Sequence, residues 1–220
     1  LCMKGIETGT GLRLTQVVRQ FFPHVDLGIW VGPGHVQDFV RGVPNCMVID
    51  SDDPAVQERL VETFSSRLIR FYLGEDLIGN EVGAAAKNVV GIAAGMLDGL
   101  DKTALKGALM SRGTREIARL IHAMGGHERT AYGLAHLGDY EATLFSAHSH
   151  NRQFGEDFVR GIPYEKLAEG AATVTALLEL GERYHVELPI CSAVDRVIHG
   201  GEDPDKALSE LFLRRIKSEF

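Results

Sequence analysis

The sequence predicts an α/β segment, corresponding to the second half of a doubly wound domain, followed by an all-α domain. Two observations support this prediction. Up to about residue 79, short apolar segments of strand length alternate with amphipathic helices. Beyond that point helical spacing dominates, and Gly125-Gly126 and Ile162-Pro163 punctuate the helices. We therefore expect one unit over residues 1–79 and a second, helical unit over residues 80–220.

The first unit contains three predicted strands and three predicted helices in alternation. Asp52 or Asp53 is expected to cap the third helix, because a short acidic side chain can accept hydrogen bonds from the first free amides. The predicted strands are Leu27 to Val31, Cys46 to Asp50 and Leu68 to Tyr72, and the predicted helices are Thr15 to Phe22, Val36 to Arg41 and Pro54 to Phe64.

The second unit is predicted to contain helices only. Its last helix should begin near Asp203-Pro204, since proline is favoured in the first turn. The predicted helices are Ile78 to Leu97, Lys102 to Met124, Arg129 to His136, Phe154 to Val159, Tyr164 to His185, Glu187 to Ile198 and Asp205 to Lys217.

Composition and charge exclude several classes of partner. The net charge of -7 argues against a general nucleic-acid surface. No apolar run approaches the length of a membrane span, and no signal peptide is visible. Cys2, Cys46 and Cys191 are odd in number and far apart, which favours a reducing, cytoplasmic setting.

Lys87 is the most informative residue of the chain. With Asn88 it interrupts an otherwise small and apolar helical stretch from Glu81 to Met96. Burying an ammonium group is costly and lowers its pKa, so such a lysine often acts as a general base or an anion ligand. The alternative is a lysine whose stem packs while its head reaches water.

Further polar residues stand at predicted helix boundaries. Asp139 follows Leu137-Gly138, where an aspartate is commonly a cap or turn residue. Ser149, His150 and Asn151 precede a helix, and their side chains can donate to a phosphate near its N-terminus, although an ordinary helix-entry loop has the same composition. His148 and His150 have no third ligand at a useful spacing, so we expect no metal site.

Several segments, in the same order, resemble the bacterial NAD(P)-dependent glycerol-3-phosphate dehydrogenases. The longest runs from Gly79 to Gly95, and the likeness extends over essentially the whole chain. The other matching segments are Lys4-Gly5-Ile6-Glu7, Gly32-Pro33-Gly34-His35, Ser111-Arg112-Gly113, Leu137-Gly138-Asp139, Ser149 to Gly155 and Val186 to Ile190.

The resemblance implies a Rossmann-like NAD(P)-binding domain and a catalytic helical domain. It implies interconversion of sn-glycerol 3-phosphate and dihydroxyacetone phosphate with NAD or NADP, for phospholipid synthesis, by a homodimer. Lys87 would accept the proton, and Lys4 and Asp139 would complete the catalytic set. The implied substrate-binding residues are Lys4, Gly32, Gly34, Lys87, Asp139, Ser149, His150 and Asn151, and the implied cofactor-binding residues are Lys4, Val36, His150, Leu167 and Glu169.

The resemblance also implies that roughly a third of the family's length, including its Gly-rich dinucleotide loop, precedes Leu1. We therefore expect a fragment that has little activity alone. Gly34 stands where the family has Ser or Thr, and His150 where it has Arg, which removes a permanent charge from the phosphate site. Two alternatives stay open: a related dehydrogenase of another small hydroxy-acid or polyol phosphate, and a non-catalytic helical dimerisation module.

Overall fold

The first unit of the chain is a small sheet with helices around it. The computed structural model describes residues 1–34 and 36–213. In the described residues, the strands are β1 (Ile29–Val31), β2 (Asn45–Asp50) and β3 (Ile69–Leu73). The helices that alternate with them are α1 (Leu14–Phe21), α2 (Val36–Val40) and α3 (Pro54–Phe64).

The sheet has the order β1-β2-β3 and is mixed. Strands β2 and β3 are parallel, as a doubly wound domain requires, whereas β1 and β2 are antiparallel. The connection from β1 to β2 contains only the five-residue helix α2, so the chain turns back instead of crossing over the sheet. One sheet face packs Ile29, Val31 and Val48 against Ala84 and Ala135, which joins the sheet to the helical unit.

The second unit is helical, as predicted. Its helices are α4 (Leu77–Gly99), α5 (Lys106–Ala123), α6 (His150–Val159), α7 (Glu169–Arg183), α8 (Pro189–Ile198) and α9 (Pro204–Phe212). Helix α4 is the centre of this unit, since every residue from Gly79 to Leu97 is buried. Among the described residues, no helix has both the length and the apolar content that crossing a membrane requires.

Helices α4 and α6 approach each other closely because glycines line their contact. A Cβ atom on Gly95 would lie 1.9 Å from the carbonyl oxygen of Arg152, and one on Gly155 would lie 2.1 Å from that of Ile92. Only glycine allows backbones to come this near. The first turn of α6 is therefore held at a defined position beside α4.

The helix starts follow the capping signals in the sequence. Asp53 accepts a hydrogen bond from the amide of Ala55 and so caps α3, which decides between Asp52 and Asp53. Asp203 caps α9 in the same way, through the amide of Lys206. Asp76 caps α4 and also accepts from Thr130, so this cap joins two parts of the unit.

Four helix predictions were wrong in part. The predicted helix Arg129 to His136 is instead a 3₁₀ helix over Glu128–Tyr132, followed by a second over Leu137–Asp139 and a π-helix over Glu141–Phe145. Gly133 and Gly138 interrupt the region, and the buried side chain of Lys106 donates to the carbonyl oxygen of Leu144 in its π-helix.

The predicted helix Tyr164 to His185 begins only at Glu169, after an irregular segment. The predicted helix Lys102 to Met124 begins at Lys106, after a 3₁₀ turn over Thr103–Leu105. The predicted helix Phe154 to Val159 was too short at its N-terminal end, because α6 already begins at His150. Residues 214–217 of the last predicted helix lie outside the described residues.

Candidate active site

A cavity of about 530 Å³ lies where the N-terminal segment, α4 and the first turns of α6 and α7 meet. Its size is typical of a small-molecule site. Its wall is formed by Lys4, Gly34, Lys87, Asn88, Asp139, Ala142, Thr143, His148, Ser149, His150, Asn151, Lys166, Leu167 and Glu169.

Two lysines share one carboxylate oxygen at the inner end of this cavity. Lys87 Nζ lies 2.6 Å from Asp139 Oδ2, and Lys4 Nζ lies 3.0 Å from the same atom. Lys87 also donates a hydrogen bond of 2.8 Å to Thr143 Oγ1. The exposed fraction of the Lys87 side chain is only 8%, so its head group does not extend into water as the alternative interpretation required.

The environment of Lys87 favours loss of its proton. Burial lowers its pKa to about 8, Asp139 opposes this change and the positive charge of Lys4 adds to it. A lysine with this pKa is partly neutral near pH 7 and can accept a proton there, while an ordinary exposed lysine cannot. The geometry therefore supports the role of a base for Lys87.

Lys4 is brought to Asp139 by the bonds of the N-terminal segment. The carbonyl oxygen of Leu1 accepts a hydrogen bond of 2.8 Å from the amide of Trp30 in β1. Farther along, the buried carboxylate of Glu81 on α4 accepts from the amide and the hydroxyl of Thr15. The segment that carries Lys4 is thus bound to the sheet at one end and to α4 at the other.

The turn that carries Asp139 is fixed by His136. Its Nδ1 donates to the carbonyl oxygen of Gly83 on α4 at 2.8 Å, which leaves Nε2 to accept from the hydroxyl of Tyr140, also at 2.8 Å. Burial lowers the pKa of His136 to about 4, so the ring stays neutral. The sequence analysis missed this role, although His136, Asp139 and Tyr140 stand close together along the chain.

The first turn of α6 presents donors for an anion to the same cavity. Ser149 caps α6 by accepting from the amide of Arg152, and His150 Nδ1 lies 2.9 Å from Tyr164 Oη. Asn151 Oδ1 accepts from the amide of Gly170 at 2.8 Å, so its Nδ2 group is the part that can donate to a ligand. The N-terminus of a ten-residue helix adds its partial positive charge.

The third side of the cavity contains residues of α7 and the segment before it. Glu169 accepts a hydrogen bond of 3.0 Å from Asn88 Nδ2 on α4. Lys166 and Leu167 line the rim beside it, and 77% of Leu167 is exposed. This combination of a carboxylate, an amide and an exposed apolar side chain fits a carboxamide-bearing ring such as nicotinamide.

The structure brings together most residues that the sequence analysis selected. The exceptions are Gly32, which follows β1 with φ at 131°, and Val36, which is 73% exposed at the start of α2; neither lines the cavity. Their binding roles, and those of the other selected residues, stay predictions. Among residues 1–34 and 36–213, no three His, Cys, Asp or Glu side chains form a group that could hold a metal ion.

Several wall residues were not predicted from the sequence. Thr143 is the most important, because it contacts Lys87 directly. A single threonine in a half-apolar stretch is common and points to no particular role, so the sequence carried no signal for it. Asn88 was noticed only as an unusual polar residue of α4, and Lys166 and His148 were not selected.

Comparison with known proteins agrees with the fold and the cavity. A family model described as NAD-dependent glycerol-3-phosphate dehydrogenase C-terminus matches residues 76–209. A glycerol-3-phosphate dehydrogenase [NAD(P)+] of Agrobacterium fabrum is 38% identical over 99% of this chain and 68% of its own length. One of Acidithiobacillus ferrooxidans is 39% identical over all of this chain and 66% of its own length.

Solved structures give the same result. The crystal structure of glycerol-3-phosphate dehydrogenase from Coxiella burnetii has a TM-score of 0.91 and 28% identity, over 97% of this chain and 68% of that one. These matches place the chain in the class of nicotinamide-dependent oxidoreductases. More narrowly, the chain belongs to the family of NAD-dependent glycerol-3-phosphate dehydrogenases. It spans about two thirds of the length of these relatives.

Proposed function

We propose that this chain forms the proton-transferring and phosphate-binding part of an enzyme that interconverts sn-glycerol 3-phosphate and dihydroxyacetone phosphate. The observation that carries the proposal is that one cavity contains both the pairing of Lys87 and Lys4 on Asp139 and a set of anion donors on the first turn of α6. A small polyol phosphate needs both groups, one for its hydroxyl group and one for its phosphate.

The chemistry divides between the chain and the nucleotide. In the oxidative direction, neutral Lys87 Nζ accepts the proton of the secondary hydroxyl while the carbon-bound hydrogen leaves as a hydride and a carbonyl forms. NAD or NADP supplies the acceptor for that hydride when it is bound. Lys4 stabilises the negative charge that develops on the oxygen, and Asp139 holds the Lys4 ammonium group and the Lys87 amino group in place.

The phosphate is assigned to the first turn of α6. Ser149, His150 and Asn151 lie together there, and a helix N-terminus favours a dianion. Lys4, His150, Leu167 and Glu169 would hold the nicotinamide end of the nucleotide, supported by their place on the cavity wall. Val36 stays a prediction without that support.

A related substrate is the second candidate, and Gly34 favours it. A Cβ atom on Gly34 would lie 2.8 Å from the Phe39 ring, so a hydroxyl-bearing side chain fits only if Phe39 moves. Contact with the substrate at this position therefore comes from the backbone. A non-catalytic dimerisation module is less consistent with the structure, since it gives no reason to bury two lysines beside a cavity.

Two finer proposals concern the setting of the enzyme. We propose a cytoplasmic location, which is supported by Cys2, Cys46 and Cys191 all being free thiols. We also propose a homodimer, which rests on the family resemblance alone.

The substrate is tested with a panel of small phosphates on the protein in the full length that its gene encodes. Glycerol 3-phosphate and dihydroxyacetone phosphate should have the highest kcat/KM, with NAD(H) or NADP(H) as the second substrate. A higher kcat/KM for another hydroxy-acid or polyol phosphate would establish the second candidate. No turnover of any member would contradict the proposal.

A further inference from the structure

Three charged side chains form a cluster at the C-terminal end of α4, outside the cavity. Asp98 accepts hydrogen bonds from Lys106 Nζ at 2.6 Å and from Arg152 Nη1 at 2.8 Å, both on Oδ2. Their exposed side-chain fractions are between 5% and 14%. Asp98, Lys106 and Arg152, called the Asp98 cluster below, do not line the cavity.

Each cation of the cluster also donates to the backbone of the segment that follows Asp139. Lys106 Nζ donates to the carbonyl oxygen of Leu144 at 2.8 Å, and Arg152 Nε donates to that of Ser146 at 3.2 Å. Hydrogen bonds from charged donors are roughly twice as strong as neutral ones. The cluster therefore fixes two carbonyl groups that lie only two residues apart.

This segment has little regular structure of its own to hold it. It consists of the π-helix Glu141–Phe145 and a turn that ends at Ser149. Single π-turns are rare in proteins as a whole, and those that occur are often at functional sites. One π-helical turn fixes only part of the segment, and side chains from other elements hold the rest; the Asp98 cluster provides two of these bonds.

The segment carries functional groups at both of its ends. Thr143, which accepts from Lys87, immediately precedes Leu144. Ser149 follows, and its amide donates to the same Ser146 carbonyl oxygen that Arg152 holds. Lys87 and Asp98 both lie on helix α4. The proton acceptor and the carboxylate that holds the Thr143 segment are therefore fixed on the same rigid helix.

We propose that the Asp98 cluster is a positioning device for the active site, which holds Thr143 against Lys87 and the first turn of α6 at the phosphate. The inference rests on the proposed function. The cluster touches neither end of the substrate, so its residues are positioning residues and act through Thr143 and Ser149. A purely structural cluster would affect stability and leave the kinetics of the folded protein unchanged.

The decisive variant is Asp98→Asn, which keeps the side-chain shape and removes the charge that both cations share, while Arg152 keeps its ion pair with Glu156. At a temperature well below its Tm, we expect kcat to fall about tenfold or more and KM for the phosphate substrate to rise, since displacements of about 1 Å are this costly in active sites. Asp205→Asn is the matched control, because Asp205 forms an exposed ion pair with Lys102. It should leave both constants unchanged.

A double-mutant cycle separates positioning from general destabilisation. In a Thr143→Ala background, Asp98→Asn should lower kcat by no more than about twofold, because the contact that it acts through is already absent. If the double variant instead showed the product of the two single losses in kcat, the inference would be overturned. Where Asp98→Asn does not fold, Arg152→Lys replaces it: the positive charge beside Asp98 stays and the donor to Ser146 is lost.

The outcome for the cluster is distinct from that for the proposed function. Failure of the wild-type protein to turn over any phosphate would contradict the function. The inference is then decided by calorimetric binding of inorganic phosphate, which Asp98→Asn should weaken severalfold and Asp205→Asn should not. Unchanged phosphate binding together with unchanged kcat in a folded Asp98→Asn protein would refute the inference.

Discussion

The pH dependence of turnover follows from the position of Lys87. A lysine with the ordinary pKa of 10.5 is neutral in about 0.03% of molecules at pH 7, whereas with a pKa of about 8 the neutral fraction is about 9%. Burial beside Asp139 and Lys4 thus raises the concentration of the neutral base by about 300-fold at pH 7. This gain is the advantage of a base placed on the inner wall of the cavity.

The sign of the pH effect depends on the direction of the reaction. Oxidation needs neutral Lys87, so kcat/KM should rise about tenfold per pH unit below a pKa of about 8 and level off above it. Reduction needs the protonated form, so kcat/KM should be level below that value and fall above it. The second pKa of a phosphate monoester is near 6, so ionisation of the substrate is separated from the ionisation of Lys87 in the pH profile.

The assay follows the nicotinamide absorbance in both directions between pH 6 and 10 in buffers of constant ionic strength. Lys4→Met should move both midpoints to higher pH, because the positive charge of Lys4 lowers the pKa of Lys87. Lys206→Met, which removes a largely exposed lysine, is the control and should move neither. Midpoints that stay in place in Lys4→Met, or limbs of the same sign in both directions, would refute the reasoning.

Three further predictions concern binding and stability. Asn151→Asp should raise KM for the phosphate substrate at least tenfold with a small change in kcat, since like charges would meet at the anion end; steady-state kinetics beside the exposed control Gln20→Glu checks this, and an unchanged KM would exclude Asn151 from the phosphate site. Gly95→Ala should lower the free energy of unfolding by about 2 kcal/mol or more, because its Cβ would lie 1.9 Å from a carbonyl oxygen of α6, while Gly107→Ala meets nothing within 4 Å; equal denaturation midpoints for the two would contradict the close packing of α4 and α6. Burial raises the pKa of Glu116 to about 7 against 4.5 in the unfolded chain, so stability due to this group should fall by about 3 kcal/mol between pH 4.5 and 7.5; thermal melts should show this loss in the wild type and not in Glu116→Gln, and parallel curves would refute it.

The sequence was sufficient to predict the elements whose pattern is local. Helix α4 was predicted because small and apolar residues continue through several turns without proline, and its one lysine was recognised as exceptional. The cap Asp203 was predicted beside Pro204, and the cap of α3 was narrowed to Asp52 or Asp53, of which the structure has Asp53. For these elements, side chains close along the chain contain the necessary information.

The segment from Glu128 to Phe145 could not be predicted in this way. Its backbone is set by bonds to distant elements, such as His136 to Gly83 and Lys106 to Leu144, which no periodicity within the segment reveals. Thr143 was missed for the same reason, since it reaches Lys87 across 56 residues of sequence. The orientation of β1 also depends on the length of one connection rather than on any residue of the strand.

The role of Val36 shows the limit of a resemblance. Its assignment to the cofactor came from the family pattern alone, and the structure places it outside the cavity with most of its side chain exposed. Gly34, two residues earlier, does line the cavity. A motif can therefore point to the correct region and still not identify the residue that forms the wall.

The most direct test of the account is the turnover of Lys87→Met in the protein in the full length that its gene encodes. Methionine keeps the buried stem and removes the group that accepts the proton, while Lys4 still neutralises Asp139. With dihydroxyacetone phosphate and NADH or NADPH, we expect kcat to fall by about 10² to 10⁴ while the protein stays folded. A folded Lys87→Met protein with kcat within about tenfold of the wild type would contradict the assignment of Lys87 as the proton-transferring residue.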